Sequence, residues 1–222
     1  MKIFVISLKN EIGENRRSKL NYEHEIFWGN DKLENVPDFI LNKIFIPHFS
    51  KPENKEKILK QRGCCLSSHL QLLQKIIDEN LHNVIVCEDD ALIKDINLLK
   101  NLEDLNLDEP VLLNGKLHHP KTYEKDNEFN DKDIKFENGI NEIDYNLYRW
   151  SCTACVYYPT PKSAEYIIEF FKNVNKITNV DITLAKKKVI KKLYYPSLFI
   201  IKDDGVSQID RSKGLIDNFI CF

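Results

Sequence analysis

Residues 83–93, "NVIVCEDDALI", carry four apolar residues, Val84 to Cys87, straight into three carboxylates, Glu88, Asp89 and Asp90. A short, continuously apolar run of this kind reads as a strand covered on both faces, the habit of a parallel sheet. Crowded carboxylates repel one another, and each loses hydration near the interior. The arrangement therefore predicts positive charge at the end of the strand. In open α/β sheets that end is also where ligands collect.

The rest of the chain supports such a sheet. Lys2 to Leu8 is nearly all apolar and reads as a first strand, and "KNEIGENRRSKL" as a turn running into a short helix. His24 to Trp28 is a second β-like run, followed by a loop around Asn30 and Asp31. Pro37, Pro47 and Pro52 argue against long regular structure over residues 35–55. From Arg62 to about Glu79 the pattern turns helical: Leu66, Leu70, Leu73 and Ile77 form one stripe, and Cys65, His69, Leu72 and Ile76 the next. A helix is expected from about Asp95 to Leu105, and a short strand over Val111 to Asn114 that stops at Gly115.

Residues 120–146 are charged, Asn-rich and weakly periodic, and are expected to form a long surface loop containing a hairpin. Leu147 to Tyr158 returns to β-like sequence. Pro161 opens a helix that buries Ala164, Ile167, Ile168 and Phe171. Asp181 to Lys188 reads as another helix, and Lys192 to Ile201 as strand around Pro196. Strands alternating with helices, without repeats or a Gly/Ser linker, predict an α/β fold. Its mostly parallel central sheet is flanked by helices in one domain over residues 1–222.

Composition narrows the partners. A net charge of -2 on 222 residues makes a nucleic-acid polyanion a poor partner. No window approaches roughly 18 uncharged apolar residues, and "MKIFVISLKN" is too short for a secretory leader. Of the six cysteines, Cys64 and Cys65 adjoin, Cys87 lies in an apolar strand, and Cys152 and Cys155 flank Thr-Ala. No second ligand pair stands at zinc spacing from "CTAC", so free, mostly buried thiols and a cytoplasmic setting are expected.

If the backbone stays extended through the acids, Glu88 and Asp90 project to one side, roughly 6–7 Å apart at ~3.3 Å per residue. Asp89 then points the other way. One acid can ligate a divalent ion while its neighbour binds that ion through water or accepts from a ligand hydroxyl, a pattern suited to Mg²⁺ or Mn²⁺ with phosphate oxygens. Two other readings compete. The acids could merely end a strand and cap a helix. A receiver-type phosphoacceptor also uses strand-end acids, but its acidic pair follows the first strand, where "FVISLKN" has none.

Several segments, in order, resemble glycosyltransferase family 25, which includes lipopolysaccharide β-galactosyltransferases and collagen galactosyltransferase domains. They are "ISLKN" with Arg16-Arg17, "GCCLSSH" over residues 63–69, "VIVCEDD", "VLLNGK", "CVYYPTPKSAEYII" and "NVDITL". The chain departs from the family pattern in an extra Ser in "LSSH", which displaces His69 along the helix, and in Ser163-Ala164 where Gly-Ala is usual. The resemblance implies a GT-A-like nucleotide-diphospho-sugar transferase fold, a UDP-hexose donor, Mn²⁺ (or Mg²⁺) and inversion at the anomeric carbon. The acceptor it implies is a glycan, a lipo-oligosaccharide or a hydroxylated peptide.

On that resemblance Asp90 and Glu88 are the metal ligands, and Asp89 contacts the donor or holds the loop. Arg16 and Arg17 are candidates for neutralising the diphosphate. His69 contacts the donor, steadies the acidic loop, or sits as a satisfied core histidine. Asp181, in "NVDITL", is the candidate general base, with an N-cap or a donor-sugar contact as the alternative. His118-His119 make a poor chelate alone and read as loop residues near the acceptor. "KKKVIKK", Lys186 to Lys192, reads as a solvated helix face or a peripheral contact with anionic lipid. A non-catalytic glycan- or nucleotide-binding module of the same fold is the alternative function.

Overall fold

Alternation along the apolar strands decides the layering. A computed structural model describes residues 1–48, 50–103, 105, 107–113, 116–118, 136–145, 149–151 and 155–201, with backbone alone at 116–118, 149–151 and 201. Strand β1 (Lys2–Ser7) leads into α1 (Glu11–Arg17), which is capped by Asn10: its side chain accepts from the Gly13 N–H at 2.8 Å. Strand β2 (Glu25–Trp28) follows, then the single-turn α2 (Asp38–Leu41) and the long α3 (Pro52–Asp78). The long helix thus begins at Pro52 and not at Arg62. A proline at the first helical position gives up an N–H that has no partner there anyway, so Pro52 opens the helix where the sequence reading took it as an interruption.

After α3 come β3 (Val84–Glu88) and β4 (Ala91–Ile93). The helix expected over Asp95–Leu105 is shorter: a 3₁₀ segment, Ile96–Leu99, runs into α4 (Lys100–Glu103). The short strands β5 (Val111–Leu112), β6 (Lys116–His118), β7 (Gly139–Glu142), β8 (Arg149–Ser151) and β9 (Val156–Tyr158) follow. Helix α5 (Pro161–Asn173) starts in a capping box between Thr160 and Ser163 and buries Ala164, Ile167, Ile168 and Phe171, as its periodicity predicts. Helix α6 (Val180–Lys186) and strands β10 (Lys192–Tyr195) and β11 (Phe199–Ile201) complete the described path. The β-run around Pro196 is therefore two strands, and they belong to different sheets.

The central sheet has the order β2-β1-β3-β9-β5-β10-β7. β2, β1, β3, β5 and β10 share one direction, while β9 enters antiparallel between β3 and β5 and β7 lies antiparallel on the far edge. The sheet is mixed and mostly parallel, as expected. Small two-stranded sheets pair β4 with β11 and β6 with β8. Most of the 120–146 loop, and His119, lie outside the described residues; within that span residues 139–142 form the edge strand β7.

Each apolar strand feeds two cores. Phe4, Ile6, Val84 and Val86 pack on the face covered by α3, α5 and α6. Ile3, Val5, Ile85 and Cys87 pack on the opposite face with Tyr22, Leu102 and Phe199. A strand wrapped on both sides has no polar face to show, which is why these runs lack the polar alternation of a half-exposed sheet. Cys64, Cys65, Cys87 and Cys155 are free thiols, as expected; Cys152 and Cys221 lie outside the described residues. Among the described residues no helix is long and apolar enough to cross a membrane. Lys186, Lys187 and Lys188 are exposed, in keeping with a solvated face.

Candidate active site

The carboxyl ends of β1 and β3 lie side by side, with Ile6 opposite Glu88 in a parallel register. The same two-residue period that builds the cores aims the polar residues at these ends. Ser7 continues the side of Ile3 and Val5, and its hydroxyl donates to Asp89 Oδ2. Glu88 continues the side of Val84 and Val86, the α3 side, where its Oε1 meets His69 Nε2 at 3.3 Å and Cys65 Sγ at 3.8 Å.

The extended backbone expected through Asp90 is not found. β3 ends at Glu88, and Asp89 and Asp90 form a turn into β4. Glu88 turns toward α3, Asp89 bonds Ser7 at the end of β1, and Asp90 stays within electrostatic reach of Glu88 as well as of Tyr22 and Cys155.

Positive charge does meet the acids. Arg16 Nη1 lies 3.4 Å from Asp89 Oδ1 and 3.8 Å from Asp90 Oδ2, with its side chain only 11% exposed. Arg17 turns to the neighbouring strand end. Its Nη1 donates to Ser7 Oγ at 2.6 Å and to the Leu8 carbonyl at 2.9 Å, and its guanidinium sits 4.8 Å from the centre of the Trp28 ring. Lys9 Nζ lies 5.1 Å from the same ring centre. The arginine pair predicted to neutralise anions thus divides its work: Arg16 faces the acidic turn, and Arg17 fixes the β1–α1 connection beside an exposed tryptophan.

Gly13 allows this connection to form. A Cβ there would stand 2.4 Å from the Leu8 carbonyl oxygen, 2.8 Å from Arg17 Nη1 and 2.9 Å from Ser7 Oγ. Gly13→Ala is therefore expected to push α1 off the end of β1, lowering stability by ~1–3 kcal/mol. It should also loosen the Arg17–Ser7–Asp89 chain. Urea denaturation would read the first effect, and an unchanged midpoint would contradict the close approach.

Asp90 is the unusual acid. Its Oδ1 is buried and has no hydrogen-bond partner among the described residues. Burial, with the Glu88 charge added, pushes its carboxyl up to about 7 against the pull of Arg16. A hard divalent cation takes up an orphaned carboxylate oxygen of this kind and relieves the Glu88 repulsion, so the residues present fit Mn²⁺ or Mg²⁺.

The other candidates divide as follows. His69 is buried and bonded to Glu88, so it is tied to the acidic strand end and also lines a small apolar cavity with Leu73, Val86, Tyr158, Val180 and Leu184. Val180 opens α6, so this cavity links His69 to the helix that carries Asp181. Asp181 is not the N-cap, a position Asn179 holds; it is the second residue of α6, half-buried, with Oδ1 accepting from the Ile182 N–H at 2.8 Å. Sequence reasoning missed Ser7, the hydroxyl that joins Arg17 to Asp89. A small polar residue closing an apolar strand was the available signal. It also placed Cys65 only as part of an apolar stripe.

Over residues 1–184 the chain matches the family described as Glycosyltransferase family 25 (LPS biosynthesis protein). No curated protein matches the chain.

Proposed function

The chain belongs to glycosyltransferase family 25, and from that premise we propose that it moves a hexose from a UDP-sugar to a hydroxyl acceptor with inversion, giving a β-glycoside. Galactose is the favoured sugar, with glucose and N-acetylglucosamine as alternatives. The acceptor is a glycan, with a lipo-oligosaccharide favoured by the family's description, or a hydroxylated peptide. The observation that carries the reading is the buried, unpartnered oxygen of Asp90 beside Glu88 and Arg16, at the carboxyl end of a central strand.

Asp90 and Glu88 would hold the divalent ion. When bound, that ion offsets the charge developing on the departing diphosphate. Arg16 offsets part of the charge of the acidic turn, and Arg17 presents a cation at the neighbouring strand end. Asp89, wholly engaged by Ser7 and Arg16, positions the turn. In the displacement the acceptor oxygen bonds to the anomeric carbon as the bond from that carbon to the diphosphate oxygen breaks. Asp181 takes the acceptor's proton, and UDP leaves. A carboxylate in the first turn of α6, near the helix wall that carries His69, supports this role.

The test is to incubate the purified protein with Mn²⁺ and UDP-galactose, UDP-glucose or UDP-N-acetylglucosamine, with and without an acceptor panel that includes lipo-oligosaccharide, and to measure released UDP. UDP release is expected to be fastest with UDP-galactose and to stop on chelation. Equal release with and without chelator would remove the metal from the reaction. No release with any donor and acceptor would return the chain to the binding-module reading.

A further inference from the structure

Glu88 has a second set of neighbours that the transfer reaction does not use. Cys65 and His69 stand at i and i+4 on α3, so their side chains share one face of the helix, and that face meets the end of β3. One ligand atom from each of Cys65, His69 and Glu88 lies within 4.8 Å of the other two; Cys65 Sγ to Glu88 Oε1 is 3.8 Å and His69 Nε2 to Glu88 Oε1 is 3.3 Å. A tetrahedral zinc ion, with Zn–S about 2.3 Å and Zn–N and Zn–O about 2.0–2.2 Å, holds its ligand atoms roughly 3.3–3.8 Å apart. The two separations to Glu88 already match that spacing, and the thiol and imidazole need only a small shift to reach it. Cys65 is a half-buried cysteine outside any disulfide, His69 is buried, and the Glu88 side chain is 40% exposed, which leaves a path for an ion.

We propose that Cys65, His69 and Glu88 form a site for a borderline-soft divalent metal, with zinc as the best fit. Thiolate and imidazole select zinc over the hard cations that an all-oxygen site prefers. Binding converts the Cys65 thiol to thiolate, its proton passing to solvent, and the neutral imidazole and the carboxylate supply the other two bonds. Because Glu88 belongs to both sites, zinc here withdraws it from the acidic turn. This consequence rests on the transferase reading; the metal site itself does not. Zinc is then an inhibitor acting through a shared carboxylate, and its effect is specific to a chain with a cysteine at position 65.

Cobalt(II), a spectroscopic stand-in for zinc, tests the site on the full chain without any donor. One equivalent should produce a thiolate-to-cobalt charge-transfer band that zinc displaces. Cys65→Ser should abolish the band, while Asp90→Asn should retain it. Absence of the band in the unmodified protein, or its survival in Cys65→Ser, would overturn the site. A transfer assay at saturating Mn²⁺ then tests the coupling: Cys65→Ser should need at least ~10-fold more zinc for the same inhibition. Equal sensitivity would show that zinc acts elsewhere. The cobalt band is read without turnover, so a failure of the transferase reading and a failure of the zinc site are told apart.

Discussion

Replacing Asp90 by asparagine is expected to lower transfer by at least ~10²–10³-fold while making the metal-free protein more stable above pH 7. The two effects have one cause. A carboxyl held at about 7 in the folded chain, against 3.8 as its ordinary value, binds its proton more tightly folded than unfolded. Below pH 4 both states are protonated and the burial costs nothing extra. As pH rises the unfolded chain ionises first, so stability falls steadily until the folded carboxyl also ionises near 7. Above that point the full penalty stands, up to ~4 kcal/mol at about 1.36 kcal/mol per pH unit. Asparagine carries no charge to bury.

The stability difference between Asp90→Asn and the unmodified chain should therefore be greatest at pH 8 and close toward zero at pH 4 in metal-free thermal melts. Added Mn²⁺ with UDP should stabilise the unmodified chain at pH 8 and leave the variant unmoved. Full activity in the variant, or a stability gap independent of pH, would detach Asp90 from the proposed role. The buried, unpartnered oxygen would then need another explanation.

The second large effect is expected at Asp181. Asp181→Asn should reduce the turnover number by ~10²–10⁴-fold while leaving UDP-sugar affinity unchanged, because a base acts on the acceptor proton and not on donor binding. Asparagine can still accept from the Ile182 N–H, so α6 keeps its first turn and the variant should fold normally. Calorimetry with UDP and single-turnover kinetics would separate the two parameters. A donor affinity that falls in step with turnover would make Asp181 a donor contact, and unchanged turnover would end its candidacy.

The strands were legible because their signal is local. Residues 3–6 and 84–87 are apolar with no polar alternation, and a chain gains nothing from such runs unless both faces are covered. Helix α5 was equally plain, since Pro161 and the spacing of Ala164, Ile167, Ile168 and Phe171 are local too. The start of α3 was not. Its opening residues 52–57 are polar, and their helical state follows from Pro52 at the first position and from continuity with the turns that bury Ile58 and the residues beyond Gly63. The division of Lys192–Ile201 between two sheets was also invisible, since which neighbour a strand pairs with is decided by the rest of the fold.

At the site, sequence alone determined that three carboxylates close a buried strand and that two arginines follow the first strand. Those facts follow from composition at single positions and from the period of a strand. Only the tertiary structure decided what each acid does. The turn at Asp89 and Asp90 sends Glu88 to the thiol and imidazole of α3, Asp89 to Ser7 and Arg16, and Asp90 to a buried position where one oxygen finds no donor among the described residues. Sequence spacing cannot carry that information. A carboxylate's chemistry is set by the charges and dipoles within a few ångströms of it, and here those come from strands and helices far away along the chain.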